Sequence, residues 1–217
     1  MENEIRICLL RHGKTPGNIR RGYIGSRTDE NLDNAGRQEL MEYKKKGYYP
    51  DADFLYTSPM KRCRQTAEIV WPDLLLPGHA SCMIIQDLRE CDFGDFDGKS
   101  YSELDGVPDF QHWVDSDGMG SFPGGEDPED FRKRSADAFL RALLDMKERG
   151  LKSAACAVHG GTVMSVLSAF GPAGRSYYDW HVINGDGYEV TVRWDTWDST
   201  HRFSSVRRLL PEEDGSA

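Results

Sequence analysis

The chain reads as an α/β protein: a mostly parallel sheet, doubly wound in three layers, with helices on both faces. Three observations predict this. Short apolar runs recur along the chain, and most stop abruptly at a polar or glycine-containing turn, as buried strands do. Segments with apolar residues at helical spacing lie between most of these runs, the alternation that a parallel sheet requires. The 217 residues suit one domain with a substantial core, spanning 1–211 and followed by a polar tail, 212–217.

In order, Ile5, Ile7, Cys8, Leu9 and Leu10 form the first run, which breaks into Arg11-His12-Gly13. A glycine- and arginine-rich connection follows from Asn18 to Asn31. Leu32-Asp33-Asn34 then supplies a cap for a helix over Ala35–Lys46, stopped by Gly47. Phe54–Thr57 is a second strand, ending at Ser58-Pro59, and Pro59 suits the start of a helix over Met60–Val70. Met83–Ile85 is a third strand, followed by Asp87-Leu88-Arg89-Glu90. From Cys91 to Glu126 the chain is rich in Gly, Asp and aromatics and nearly aperiodic, apart from a short helix near Phe110–Val114. A long irregular segment of this kind predicts a lid or specificity insert.

Asp127-Pro128 caps the next helix, in which Phe131, Ser135, Ala138, Phe139, Ala142, Leu143 and Met146 line one stripe, with Gly150 as the stop. Ala154–Val158 is the fourth strand; it ends at His159-Gly160-Gly161 before a helix over Thr162–Phe170. Two alternating runs, Tyr188–Trp194 and Arg202–Leu209, predict the closing strands.

Composition narrows the function classes. A net charge of −9 argues against a general nucleic-acid or membrane-surface binder, though a local arginine cluster can still oppose that field. Five cysteines, an odd count with no CxxC pair, and no secretory signal predict a reduced, cytoplasmic protein. No apolar stretch is long enough to span a bilayer. The six histidines show no HExxH or HxxxH spacing, so no metal is expected.

The informative coincidence is positional. Four strand ends each release reactive residues: Arg11-His12, Ser58 with Arg62 one turn on, Arg89-Glu90, and His159. In a doubly wound sheet those ends converge on one edge, where ligands bind. Forked guanidinium cations suit the several oxygens of a phosphoryl group. The backbone N–H groups at Gly160-Gly161, opening a helix, add positive dipole. A neutral imidazole can attack phosphorus, and a carboxyl group can protonate the departing oxygen. On position alone that carboxyl is Glu90, Asp87, Asp92 or Asp95.

Five segments carry a resemblance: LLRHGKTPGN at 9–18, SPMKRCRQTA at 58–67, LRECDFGDFDG at 88–98, PGGE at 123–126 and VHGG at 158–161. In this order they resemble the histidine phosphatase superfamily, with its phosphoglycerate-mutase-like fold. The resemblance implies that His12 is the phosphorylated nucleophile and that Glu90 is the general acid and later the base. It implies that Arg11, Arg62 and His159 hold the transferring phosphoryl group, that Asn18, Thr15, Gly25 and Gly160 contact substrate, and that the reaction needs no metal or other cofactor. GYIGSRTDENLDNAGRQEL at 22–40, FGDFDGKS at 93–100 and the segment 177–192 are further similar to alpha-ribazole phosphatases and related metabolite phosphatases. The partner so implied is a small phosphorylated metabolite, with a homodimer left open.

Lys14, Cys91 and Asp97 depart from the family's usual residues. The rival readings are a mutase, which returns the phosphoryl group to another hydroxyl, and a silent phosphate-binding protein of the same fold. Arg89 reads as a salt-bridging residue, Arg20, Arg21 and Arg27 as solvated, and His79, His112, His181 and His201 as surface or core residues.

Overall fold

The computed structural model describes residues 3–77, 81–116 and 120–211, so His79 and the tail at 212–217 lie outside the described residues. Six strands form one sheet: β1 (Glu4–Arg11), β2 (Leu55–Thr57), β3 (Cys82–Ile84), β4 (Ser153–Val158), β5 (Gly187–Arg193) and β6 (Ser205–Arg208), in the order β3-β2-β4-β1-β5-β6. β1, β4, β2 and β3 pair parallel, whereas β5 runs antiparallel to both β1 and β6.

The apolar runs lack alternation because both faces of the central strands are buried. Along β1, Ile5, Ile7 and Leu9 join one core cluster, while Cys8 and Leu10 join another across the sheet. β4 divides the same way, Ala154, Cys156 and Val158 against Ala155 and Ala157. The first face is covered by α6 (Pro128–Glu148) and α7 (Gly160–Phe170), and the second by α2 (Asn34–Lys45) and α3 (Lys61–Val70). The expected stripe on α6 is buried, from Phe131 to Met146. Asp33 caps α2 by accepting from the Gly36 amide at 2.6 Å, and Asp127 caps α6 through the Glu129 amide at 2.8 Å.

Three departures from the expected elements have local causes. The connection after β1 contains a one-turn helix, α1 (Pro16–Ile19), closed by a capping box between Thr15 and Asn18. Residues 91–116 and 120–126 are ordered by an aromatic cluster in place of a periodic pattern. Phe96, Phe110 and Phe122 are buried in it, with α4 (Tyr101–Leu104) and α5 (Pro108–Asp115) packed around them. α8 (Trp194–Thr200) fills the gap between the last two expected strands, where no element was expected; its Trp197 packs on Phe170 and Phe203. Among the described residues, no helix is long and apolar enough to cross a membrane.

The parallel strands end together. The His12 amide donates to the Val158 carbonyl at 2.9 Å and the Ser58 amide to the Ala157 carbonyl at 3.0 Å, stitching the ends of β1, β4 and β2. Gly187 brings β5 hard against β1: a Cβ there would sit 1.9 Å from the Leu9 carbonyl oxygen. Gly187→Ala is therefore expected to lower stability by about 1–3 kcal/mol, the scale of forced overpacking, measured by urea unfolding. An unchanged unfolding midpoint would show that β5 can shift without cost.

Candidate active site

β1 delivers Arg11 and His12 to the sheet edge. The His12 ring is buried, and its Nδ1 lies 2.7 Å from the Gly13 carbonyl oxygen. A carbonyl can only accept, so the ring proton sits on Nδ1 and Nε2 keeps its lone pair. The loop beneath is clamped. The Gly13 amide donates to Thr66 Oγ1 at 3.0 Å, Asn184 Nδ2 donates to the His12 carbonyl at 3.1 Å, and the Gly185 amide is shared between the Arg11 and His12 carbonyls at 3.2 Å each.

Arg62, from the first turn of α3, is fully buried. Backbone carbonyls hold it: NH1 donates to Thr28 at 2.8 Å, and NH2 to Gly25 at 3.1 Å. Arg11 NH1 donates to the Val182 carbonyl at 2.6 Å. On both guanidinium groups Nε is buried with no hydrogen-bond partner, and neither group forms an ion pair among the described residues. A buried N–H left unmade costs roughly 1–3 kcal/mol, so the pair offers strong donors to an incoming anion.

His159 faces His12 with ring centroids 5.3 Å apart; its Nε2 lies 2.8 Å from Ser58 Oγ and its Nδ1 3.9 Å from Glu90 Oε2. The Cys91 amide donates to Glu90 Oε1 at 3.0 Å. α7 starts with two glycines for a steric reason. A Cβ on Gly161 would lie 2.8 Å from Glu90 Oε1, and one on Gly160 3.3 Å from Arg11 Nε.

The electrostatics follow from burial. Desolvation, reinforced by Arg62 and Arg11, holds His12 well below the usual imidazole range, and burial with Arg62 does the same to His159. Burial pushes the Glu90 carboxyl up, against the opposing pull of the Cys91 amide and the two arginines. Two neutral imidazoles thus face a carboxyl group with a raised affinity for its proton. The arrangement can bind a dianion, attack it with a nitrogen lone pair and protonate a departing oxygen.

Of the expected site residues, the structure brings Arg11, His12, Arg62, Glu90 and His159 to one edge, with Gly160 against Arg11. Thr15 is fully buried as the cap of α1, its amide donating to Asn18 Oδ1 at 3.1 Å. Asn18 Oδ1 also accepts from Asn184 Nδ2 at 3.1 Å, so Asn18 links the α1 turn to the loop that clamps His12. Gly25 meets Arg62 through its carbonyl, and a Cβ there would sit 2.4 Å from Asp97 Oδ2. Asp97 in turn accepts from Thr28 and from the Arg27 amide, organising the loop that holds Arg62. Lys14 pairs with Glu39 on α2 at 3.0 Å. Arg27, expected to be solvated, pairs with Asp92 at 2.7 Å while remaining half exposed. Arg89 pairs with Asp87 at 3.3 Å, as expected of a salt-bridging residue.

Sequence reasoning missed two positioning residues. Asn184 lies within the segment 177–192, whose similarity to metabolite phosphatases singled out no residue. Arg134, on α6, donates from Nε and NH2 to the two oxygens of Glu126 at 2.8 Å each, and from NH1 to the Asp87 carbonyl at 2.6 Å. It thereby fixes the backbone that presents Glu90; Glu126, in the PGGE segment, was the signal that such a partner was needed.

Comparison with known proteins agrees with this geometry. The family model described as "Histidine phosphatase superfamily (branch 1)" matches residues 7–202. A broad-specificity phosphatase of Saccharomyces cerevisiae is 27% identical over 171 residues, 76% of this chain and 70% of that one. A solved structure of a putative alpha-ribazole-5′-P phosphatase from Escherichia coli superposes with a TM-score of 0.75 at 21% identity, covering 94% of each chain, a likeness of fold. A phosphoglycerate mutase from Thermus thermophilus superposes with a TM-score of 0.62 at 28% identity, over 96% of this chain and all of that one.

The depressed imidazoles carry a stability consequence. Below about pH 6.5 the unfolded chain protonates these histidines while the folded chain does not, so their contribution falls as pH drops. Glu90 acts in the opposite sense, because its raised affinity lets the folded state bind the proton first. In urea unfolding between pH 7 and pH 5, His12→Asn is expected to lose less stability than the wild type, by up to about 1.4 kcal/mol per pH unit. Parallel losses in the two proteins would show that His12 titrates as a solvated residue.

Proposed function

The chain belongs to the histidine phosphatase superfamily, branch 1, and is a phosphatase; from that premise we propose that it hydrolyses a small phosphorylated metabolite through a phosphohistidine on His12, without a metal ion. The observation that supports this most is the buried, neutral His12 ring, its Nδ1 proton held by Gly13 beside two guanidinium groups that lack carboxylate partners.

In the first half-reaction the phosphoryl dianion takes up the free donors of Arg11 and Arg62. His12 Nε2 attacks phosphorus in line as the bond to the ester oxygen breaks, and that oxygen receives the Glu90 proton. The imidazole becomes positively charged when its lone pair forms the N–P bond, and the Gly13 carbonyl stabilises that charge through Nδ1–H. In the second half-reaction the Glu90 carboxylate takes a proton from water, the hydroxide attacks phosphorus, the N–P bond breaks and neutral His12 returns. Arg62, Arg11 and His159 act on charge spread over the equatorial oxygens, so positioning and preorganised electrostatics supply most of the acceleration. Thr15, Asn18 and Gly25 serve this step through the parts they hold.

The alpha-ribazole phosphatase names among the structural neighbours make alpha-ribazole 5′-phosphate one substrate to test. The likeness to phosphoglycerate mutases keeps a second reading, in which the phosphohistidine is transferred to another hydroxyl.

Phosphate release from a panel of phosphomonoesters in EDTA tests the proposal. The panel holds an activated aryl phosphate, alpha-ribazole phosphate, sugar phosphates and 3-phosphoglycerate. Turnover is expected to persist in the chelator, and His12→Ala is expected to abolish it while leaving the fold intact. Wild-type rates in that variant would remove the mechanism; isomerised phosphoglycerate without phosphate release would decide for the mutase. Glu90→Gln is expected to slow esters of poorly acidic alcohols by about 10²–10⁴-fold, and activated aryl esters much less. Equal losses on both would refute the acid role of Glu90.

A further inference from the structure

Beside Glu90 lies a cavity of about 190 Å³ that the mechanism above does not use. Its walls come from four places: Trp113 on α5, Phe122 in the 120–126 segment, Phe131 on α6, and Tyr177 and Tyr178 in the turn after α7. We propose that this cavity seats the leaving group, and that the substrate is a phosphomonoester whose alcohol is aromatic or arylmethyl. The proposal rests on the phosphatase reading, because it takes Glu90 as the group that protonates the leaving oxygen.

Position comes first. Glu90 and Gly161 are part of the cavity wall, so an ester oxygen within reach of Glu90 directs the rest of its alcohol here. A larger depression of about 560 Å³ by Arg20, Arg21 and Tyr23 is lined by no histidine or carboxylate and lacks that connection.

The chemistry of the wall selects the class. Glu90 and Arg132 are the charged side chains lining it, and the Arg132 guanidinium lies 4.2 Å over the Tyr177 ring, where its charge is already engaged. A second phosphate or a carboxylate would therefore meet the Glu90 carboxyl and one stacked arginine. A polyhydroxylated chain would meet mostly rings. An aromatic group meets edges and faces it can pair with; Trp113 and Phe122 already pack with centroids 5.3 Å apart. Size agrees, since an apolar cavity of about 150 Å³ accepts benzene.

The test compares kcat/KM of the full chain for benzyl phosphate, ethyl phosphate and acetyl phosphate. Benzyl alcohol and ethanol are similarly weak acids, so their ratio reads recognition of the ring and not leaving-group ability. Benzyl phosphate is expected to exceed ethyl phosphate by about ten- to a hundredfold, the scale of burying one ring. Trp113→Ala and Tyr178→Ala are expected to shrink that ratio at least roughly threefold, chiefly by raising KM for the benzyl ester. Tyr178 is 54% exposed, so its replacement does not threaten the fold. Equal wild-type values, or a preference for ethyl phosphate, would overturn the aromatic class while leaving the phosphatase intact. A benzyl preference untouched by both variants would overturn the assignment to this cavity. Acetyl phosphate needs neither a ring nor much protonation; its failure to phosphorylate His12 or release phosphate would instead overturn the phosphatase reading beneath.

Discussion

The structure is organised around positive charge that is buried with no carboxylate partner among the described residues. Arg62 is fully enclosed, and the carbonyls of Thr28, Gly25 and Val182 take some of the donors on the two site arginines, but two Nε–H groups have no acceptor. Burying unpaired charge is expensive, and carbonyl dipoles offset it only in part. The fold carries that penalty at the sheet edge, where the proposed phosphoryl dianion would relieve it. Burial holds His12 and His159 well below the usual imidazole range, and the field of the same arginines reinforces it.

Such a site works only if its parts cannot relax toward one another. Rigidity comes from the sheet edge, where the ends of β1, β4 and β2 are hydrogen-bonded in register, and from small residues where bulk would intrude. Glu90 does not come directly from a strand end. It follows a single 3₁₀ turn at Gln86–Leu88, and its backbone is fixed by Arg134, whose bidentate grip on Glu126 also closes the far end of the 91–126 segment. The acid and the aromatic wall are thus tied to one side chain on α6. Arg27 and Asp97 add a second tie, joining the loop that holds Arg62 to the start of the same segment.

Much of this was legible in the residues. The first four strands and the four long helices sit within one or two residues of their expected positions, because two-sided burial, caps and stripes are local signals. The convergence of Arg11, His12, Arg62 and His159 was legible, since parallel strands in a doubly wound sheet share an edge, whereas Glu90 was singled out from its acidic neighbours only by the family resemblance. α8 was not. It lies between the two alternating runs, where no element was expected, and its place is set by Trp197 packing on Phe170 and Phe203, one distant and the other across a turn. The order within 91–126 was hidden for a related reason. Aromatic packing has no period, so the segment read as irregular.

The sequence by itself determined the layered α/β fold and which strand ends carry the polar residues that meet at its edge, because strand runs, capping residues and strand-end motifs are written over a few consecutive positions. Tertiary structure decided everything that depends on distance between chain segments. It placed the His12 proton on Nδ1 through a clamped carbonyl, recruited Asn184 and Arg134, which no signal singled out, and made Thr15 and Gly25 supports of the α1 turn and of Arg62. It also turned scattered aromatics into a cavity beside the acid. Burial and electrostatic coupling are sums over neighbours in space, and no short window of sequence contains those neighbours.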